Sequence, residues 1–137
     1  MVLRTAVGAA VGTVAGAGFL QTLKLFTRYC DSGPVVAGCG AAFPLAFGLN
    51  FSIWMVVAAA LICTGFRALR TERGWWAAGI GSGLWFVLFL AVIHVRVFHL
   101  GDLYQEDVHR FLEIAYVLVA CVGYAVAALC VGQRRTA

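Results

Sequence analysis

The amino-acid sequence predicts an all-α integral membrane protein, a bundle of four transmembrane helices with short loops and both termini on the cytoplasmic side (N-in/C-in). Three observations predict it. The 137 residues are 63 % hydrophobic and only 12 % charged, with a mean hydropathy of +0.94. A soluble domain carries about 25 % charged residues, so the charge content is halved. The uncharged runs are long enough to cross a bilayer, and the basic residues flank those runs instead of forming one stripe. Flanking bases set membrane topology, and no nucleic-acid-binding motif is present, so nucleic acid is excluded as a partner.

A span needs roughly 20 mostly apolar residues, and one domain over 1–137 supplies four: 5–26, 44–66, 75–95 and 111–131. The first carries no charge until Lys24. Met1 to Arg4 followed by small apolar residues also resembles a signal peptide, with a cut near Ala15–Gly18. The apolar run continues through Phe19, Leu20, Leu23 and Phe26, longer than a signal core, so it is read as a span. The second span sits in an uncharged stretch beginning at Gly33. Pro44 suits a helix start, where its missing N–H costs nothing, and residues 31–43 are therefore expected as an outer loop. One long helix running through the proline is the alternative. The third span starts at Trp75 and Trp76, placed as an interfacial aromatic pair, and the fourth starts at Phe111.

Orientation follows from the bases. With the N-terminus inside, Arg4, Arg67, Arg70, Arg73, Arg134 and Arg135 are cytoplasmic, and Lys24, Arg28, Arg96 and Arg110 are outside. Glu72 is the inner acid, whereas Asp31, Asp102, Glu106, Asp107 and Glu113 are outer. The inner side is the more basic, as the positive-inside rule requires.

Three groups of residues are candidates for function. Gly8, Gly12 and Gly16 form a glycine-zipper series, and Gly79 and Gly83 repeat the spacing in the third span. Residues four apart share a helical face, and glycine there admits a second backbone, which drives helix association in lipid. Either the first and third spans pack on each other inside one bundle, or the glycines meet another protomer or a partner. Cys30 and Cys39 share the first outer loop. A disulfide between them would contribute on the order of 2–3 kcal/mol by chain entropy in an oxidising compartment. Cys63, Cys121 and Cys130 are membrane-embedded and read as small apolar residues.

The densest polar stretch holds His94, Arg96, His99, Asp102, Glu106, Asp107, His109, Arg110 and Glu113. Imidazole and carboxylate suit zinc, iron or manganese, so His94, His99, Asp102, Glu106, His109 and Glu113 are the candidate metal or proton-handling residues. A di-metal bundle site needs Glu-x-x-His on two helices, and this chain has one. The simpler reading is a solvated hairpin whose charges pair locally, with Glu113 meeting Arg110 or Arg96. Elsewhere the midplane is nearly uncharged, and Asn50, Ser52 and Ser82 are the strong polar side chains inside the second and third spans.

No cofactor is expected, and no nucleophile-with-base arrangement marks an enzyme. The expectation is a multi-pass membrane protein that acts non-enzymatically as an accessory, assembly or organising component. Its partners are then the lipid bilayer and further copies of itself or a larger membrane complex. The alternative is cation, proton or metal transport or sensing through the outer His/acid cluster, or a haem-binding redox subunit.

Overall fold

The computed structural model describes residues 2–32, 36–70, 73–99 and 106–132, with the side chains of 31–41, 43 and 132 outside that description. Within it the chain is all-helical: α1 (Val2–Ser32), α2 (Val36–Ala68), α3 (Gly74–His99) and α4 (Glu106–Gly132). All four are long and apolar enough to cross a membrane. Each helix packs on its neighbour in sequence, and α1 packs most extensively on α4, closing a ring. The pairs α1/α3 and α2/α4 are diagonal. Short connections force successive helices to alternate in direction. One end of the bundle therefore carries the ends of α1 and α3 with the starts of α2 and α4, and the other carries the end of α2 and the start of α3 with the start of α1 and the end of α4.

The second helix differs from the expected loop over 31–43. It begins at Val36 and runs through Pro44, the long-helix alternative. A proline inside a helix forfeits one backbone hydrogen bond. α2 ends at Ala68, and Arg70 just beyond it adopts a left-handed φ of 54°, the usual way a helix turns its last carbonyls back onto the chain. Gly74 then brings α3 close against α2. A Cβ there would lie 3.0 Å from Cβ of Phe66 and 3.3 Å from Cα of Cys63.

The interior changes character along the bundle. Toward the α2–α3 turn it is built from small residues, among them Gly8, Ala58, Ala77, Gly81 and Ala128, with Ile62 and Phe66 filling the gaps. Toward the other end it is aromatic. Phe19 of α1 meets Phe47 (5.4 Å), Phe51 (5.6 Å), Trp85 (6.4 Å) and Phe89 (5.5 Å) edge-on, at interplanar angles of 84–88°. Edge-to-face pairs are worth about 0.5–1.5 kcal/mol each beyond the area they bury. Phe19 thus spans the diagonal to α3 with a side chain where the backbones stay apart. Tyr116 and Tyr124 bring α4 into the cluster through Phe89 and Trp85. The outside is apolar in turn, with Leu49, Ile53, Val56, Val87, Leu118 and Val122 half or more exposed or close to it. Soluble proteins rarely expose so continuous an apolar surface.

Candidate functional site

Gly8, Gly12 and Gly16 lie against α4, not α3. A Cβ at Gly8 would sit 2.5 Å from the Tyr124 carbonyl oxygen and 2.9 Å from Cβ of Ala128. At Gly12 it would press on the Ala120 carbonyl oxygen and lie 2.7 Å from Cα of Cys121, and at Gly16 it would be 3.0 Å from Cα of Val117. Most of these obstacles are backbone atoms, which cannot rotate aside. The α1–α3 pairing read from the shared spacing is therefore corrected: the ring order puts those helices on a diagonal, and the glycine face of α1 is taken by α4.

Gly79 and Gly83 face the opposite way. Both are exposed, and nothing lies within 4 Å of a Cβ built on either. The glycine between them, Gly81, is buried beneath the Tyr124 ring. Trp76, Ile80, Val87 and Leu90 continue the open stripe of Gly79 and Gly83 along α3.

The polar hairpin separates into small groups. Arg110 donates to Glu106 at 2.6 Å, an exposed pair within α4. Glu113 is met by His109 at 3.0 Å and, from α1, by Lys24 at 2.6 Å. The expected partners Arg110 and Arg96 are thus replaced. Arg110 is engaged one turn earlier, and close α1–α4 packing delivers the lysine. On α3, His94 stacks on Phe98 with centroids 4.5 Å apart and lies 6.2 Å from the His99 ring. Among the described residues no three of the His, Cys, Asp and Glu side chains come together as a metal site. Asp102 lies outside the described residues, as does the side chain of Cys39 and hence the geometry of a Cys30–Cys39 bridge. Cys63, Cys121 and Cys130 are free thiols.

Among the described residues, polar contacts cross between helices inside the bundle at two places. Ser82 Oγ and the Tyr124 hydroxyl are 2.8 Å apart and join α3 to α4. Between α1 and α2, the Thr22 hydroxyl lies 2.7 Å from Asn50 Oδ1, Asn50 Nδ2 donates to the Phe19 carbonyl at 3.2 Å, and Trp54 Nε1 donates to Thr22 at 3.1 Å. The Trp54 ring reaches Thr22 because Gly18 leaves it room. Ser52 instead bonds back to the Gly48 carbonyl of its own helix at 2.9 Å. Sequence reasoning singled out Asn50 and Ser82 but missed Thr22, Trp54 and Tyr124. Gly18 and Thr22 at four-residue spacing on α1, facing Asn50 and Trp54 at the same spacing on α2, was the available signal.

Comparison of the chain with protein-family models, curated proteins and solved structures returns no match. The functional reading therefore rests on this geometry.

Proposed function

We propose that the chain is an integral, multi-pass membrane protein with cytoplasmic termini, acting non-enzymatically as an accessory or organising component that packs against a membrane helix of another copy or of a partner. One observation carries the reading: the open Gly79/Gly83 notch on α3, flanked by exposed Trp76, Ile80, Val87 and Leu90. In lipid no hydrophobic effect drives helices together, and close backbone approach at small residues takes its place. The glycine-zipper face of Gly8, Gly12 and Gly16 serves the protomer itself, which leaves the α3 notch for assembly.

Replacing Gly83 by Leu tests this. The helical bundle should form and melt as before, while cross-linked oligomers or co-purifying membrane proteins should fall sharply. An unchanged assembly state in both Gly79→Leu and Gly83→Leu would remove the reading. Orientation is checked by reporter fusions, expected cytoplasmic after Arg70 and at Ala137 and external near Asp102. A cytoplasmic signal near Asp102 would reverse it. On that external side Cys30 and Cys39 are expected to resist alkylation until reduced. Equal labelling of Cys30 with and without reductant would rule the bridge out.

A further inference from the structure

The Thr22–Asn50 pair borders a cleft between α1 and α2 with a volume of about 240 Å³, walled by Leu23, Ala46, Leu49 and Ile53 and polar only at Thr22 and Asn50. Leu49 and Ile53 are more than half exposed, so the cleft opens toward the surroundings of the bundle. A carboxamide has two N–H donors and an oxygen with two lone pairs. Asn50 gives one N–H to the Phe19 carbonyl and at most one lone pair to the Thr22 hydroxyl, whose single proton also lies within reach of the Gly18 and Phe19 carbonyls. Its second N–H and second lone pair have no partner among the described residues. Beside hydrocarbon, a polar group left in that condition is costly.

The depth of the pair limits what can satisfy it. Thr22 precedes Lys24 by two residues, about 3 Å along a helix, and the Lys24–Glu113 ion pair marks where charge is tolerated. The spare valences of Asn50 therefore sit just inside the polar boundary, within reach of a small neutral headgroup whose chains remain in the hydrocarbon. No charged side chain lines the cleft, so a phosphate or ammonium headgroup finds no counter-charge there. A hydroxyl both donates and accepts and matches one free N–H and one free lone pair. An ester carbonyl would use only the N–H.

We infer that the α1–α2 cleft binds a neutral, hydroxyl-bearing lipid of the diacylglycerol type. Its hydroxyl exchanges hydrogen bonds with Asn50, and its chain lies on Leu23, Leu49 and Ile53. This requires the bundle to sit in a membrane but is independent of the assembly role of α3.

The test uses the full chain in phosphatidylcholine nanodiscs doped with dioleoylglycerol or with its acetyl ester, which keeps the chains and lacks the hydroxyl. Lipid retained after extraction into mild detergent is quantified by mass spectrometry. Dioleoylglycerol should be enriched about fivefold over its bulk fraction, the ratio that a net hydrogen bond of about 1 kcal/mol produces, and the ester should not be enriched. Ala46→Phe, which fills the cleft and leaves the Asn50 bonds in place, should return retention to the bulk value, and Asn50→Leu should do the same. If Asn50→Leu does not fold, Ala46→Phe decides alone. Equal enrichment of alcohol and ester, no enrichment of either, or undiminished enrichment in Ala46→Phe would overturn the inference.

Discussion

α1 and α3 stand diagonally across the bundle, and both carry glycines four residues apart. On α1 the glycines face inward with Val11, Ala15 and Phe19, and α4 lies on them closely enough that a methyl group has no room. On α3 the inward face belongs to Ala77, Ala78, Gly81, Trp85 and Phe89. Two residues along a helix turn the chain by about 200°. Once Gly81 is inward beneath Tyr124, Gly79 and Gly83 must face out. The spacing defines a face in both helices, but the bulky neighbours decide which face the core receives. Trp85 and Phe89 claim the interior of α3 because no other element of the bundle fills that volume, and the glycines are left over. The same pattern is thus packed against a neighbour in one helix and left uncovered in the other.

The largest expected effect separates these two roles directly. Gly12→Ala should destabilise the bundle by about 1–3 kcal/mol, the usual range for overpacking, because the added carbon meets the backbone of Ala120 and Cys121. Unfolding in mixed detergent measures it, and a Gly12→Ala protein as stable as the parent would break the comparison. The second effect concerns the same α1–α4 contact, at the end of the bundle where α4 begins. Glu113→Gln should cost on the order of 1 kcal/mol, since Lys24 then loses a partner that is only 24 % exposed. Glu106→Ala should be close to neutral, because Glu106 is 78 % and its partner Arg110 69 % exposed and exposed ion pairs contribute little. The reverse ranking would mean that the Lys24 bridge does not help hold α1 to α4. The smallest effect has the opposite sign. Gly83→Ala should leave the isolated protomer unchanged or raise its stability by up to about 1 kcal/mol, the helix preference for alanine over glycine, because its side of α3 is empty. A loss as large as that of Gly12→Ala would show that the α3 face is occupied within the protomer.

Much of the architecture was legible in the residues. The four long apolar helices followed from uncharged length, but the runs 5–26, 44–66 and 111–131 stop short of helices that cover Val2–Ser32, Val36–Ala68 and Glu106–Gly132, because a charge interrupts an apolar run without ending a helix. Pro44 misled, because a proline that suits the first turn of a helix can also sit inside one at the loss of a single backbone hydrogen bond, and α2 runs through it. Four-residue spacing is a local property that offered the Glu106–Arg110 and His109–Glu113 pairs of α4, yet the expectation paired Glu113 with Arg110 or Arg96 instead. Lys24 was not readable as the partner of Glu113. Nothing within either helix says that α4 returns to lie on α1.

The sequence by itself determined that there are four long apolar helices and which residues of each share a face, because hydropathy and helical period are properties of a single segment. Ring order was decided only in the tertiary structure. It set α1 beside α4, buried one glycine series and exposed the other, and left Asn50 bordering a cleft with valences to spare. In a chain that is apolar on every side, the hydrophobic pattern does not distinguish a core face from an exposed one. That choice falls to shape, to which backbones can approach and which aromatic rings must be housed.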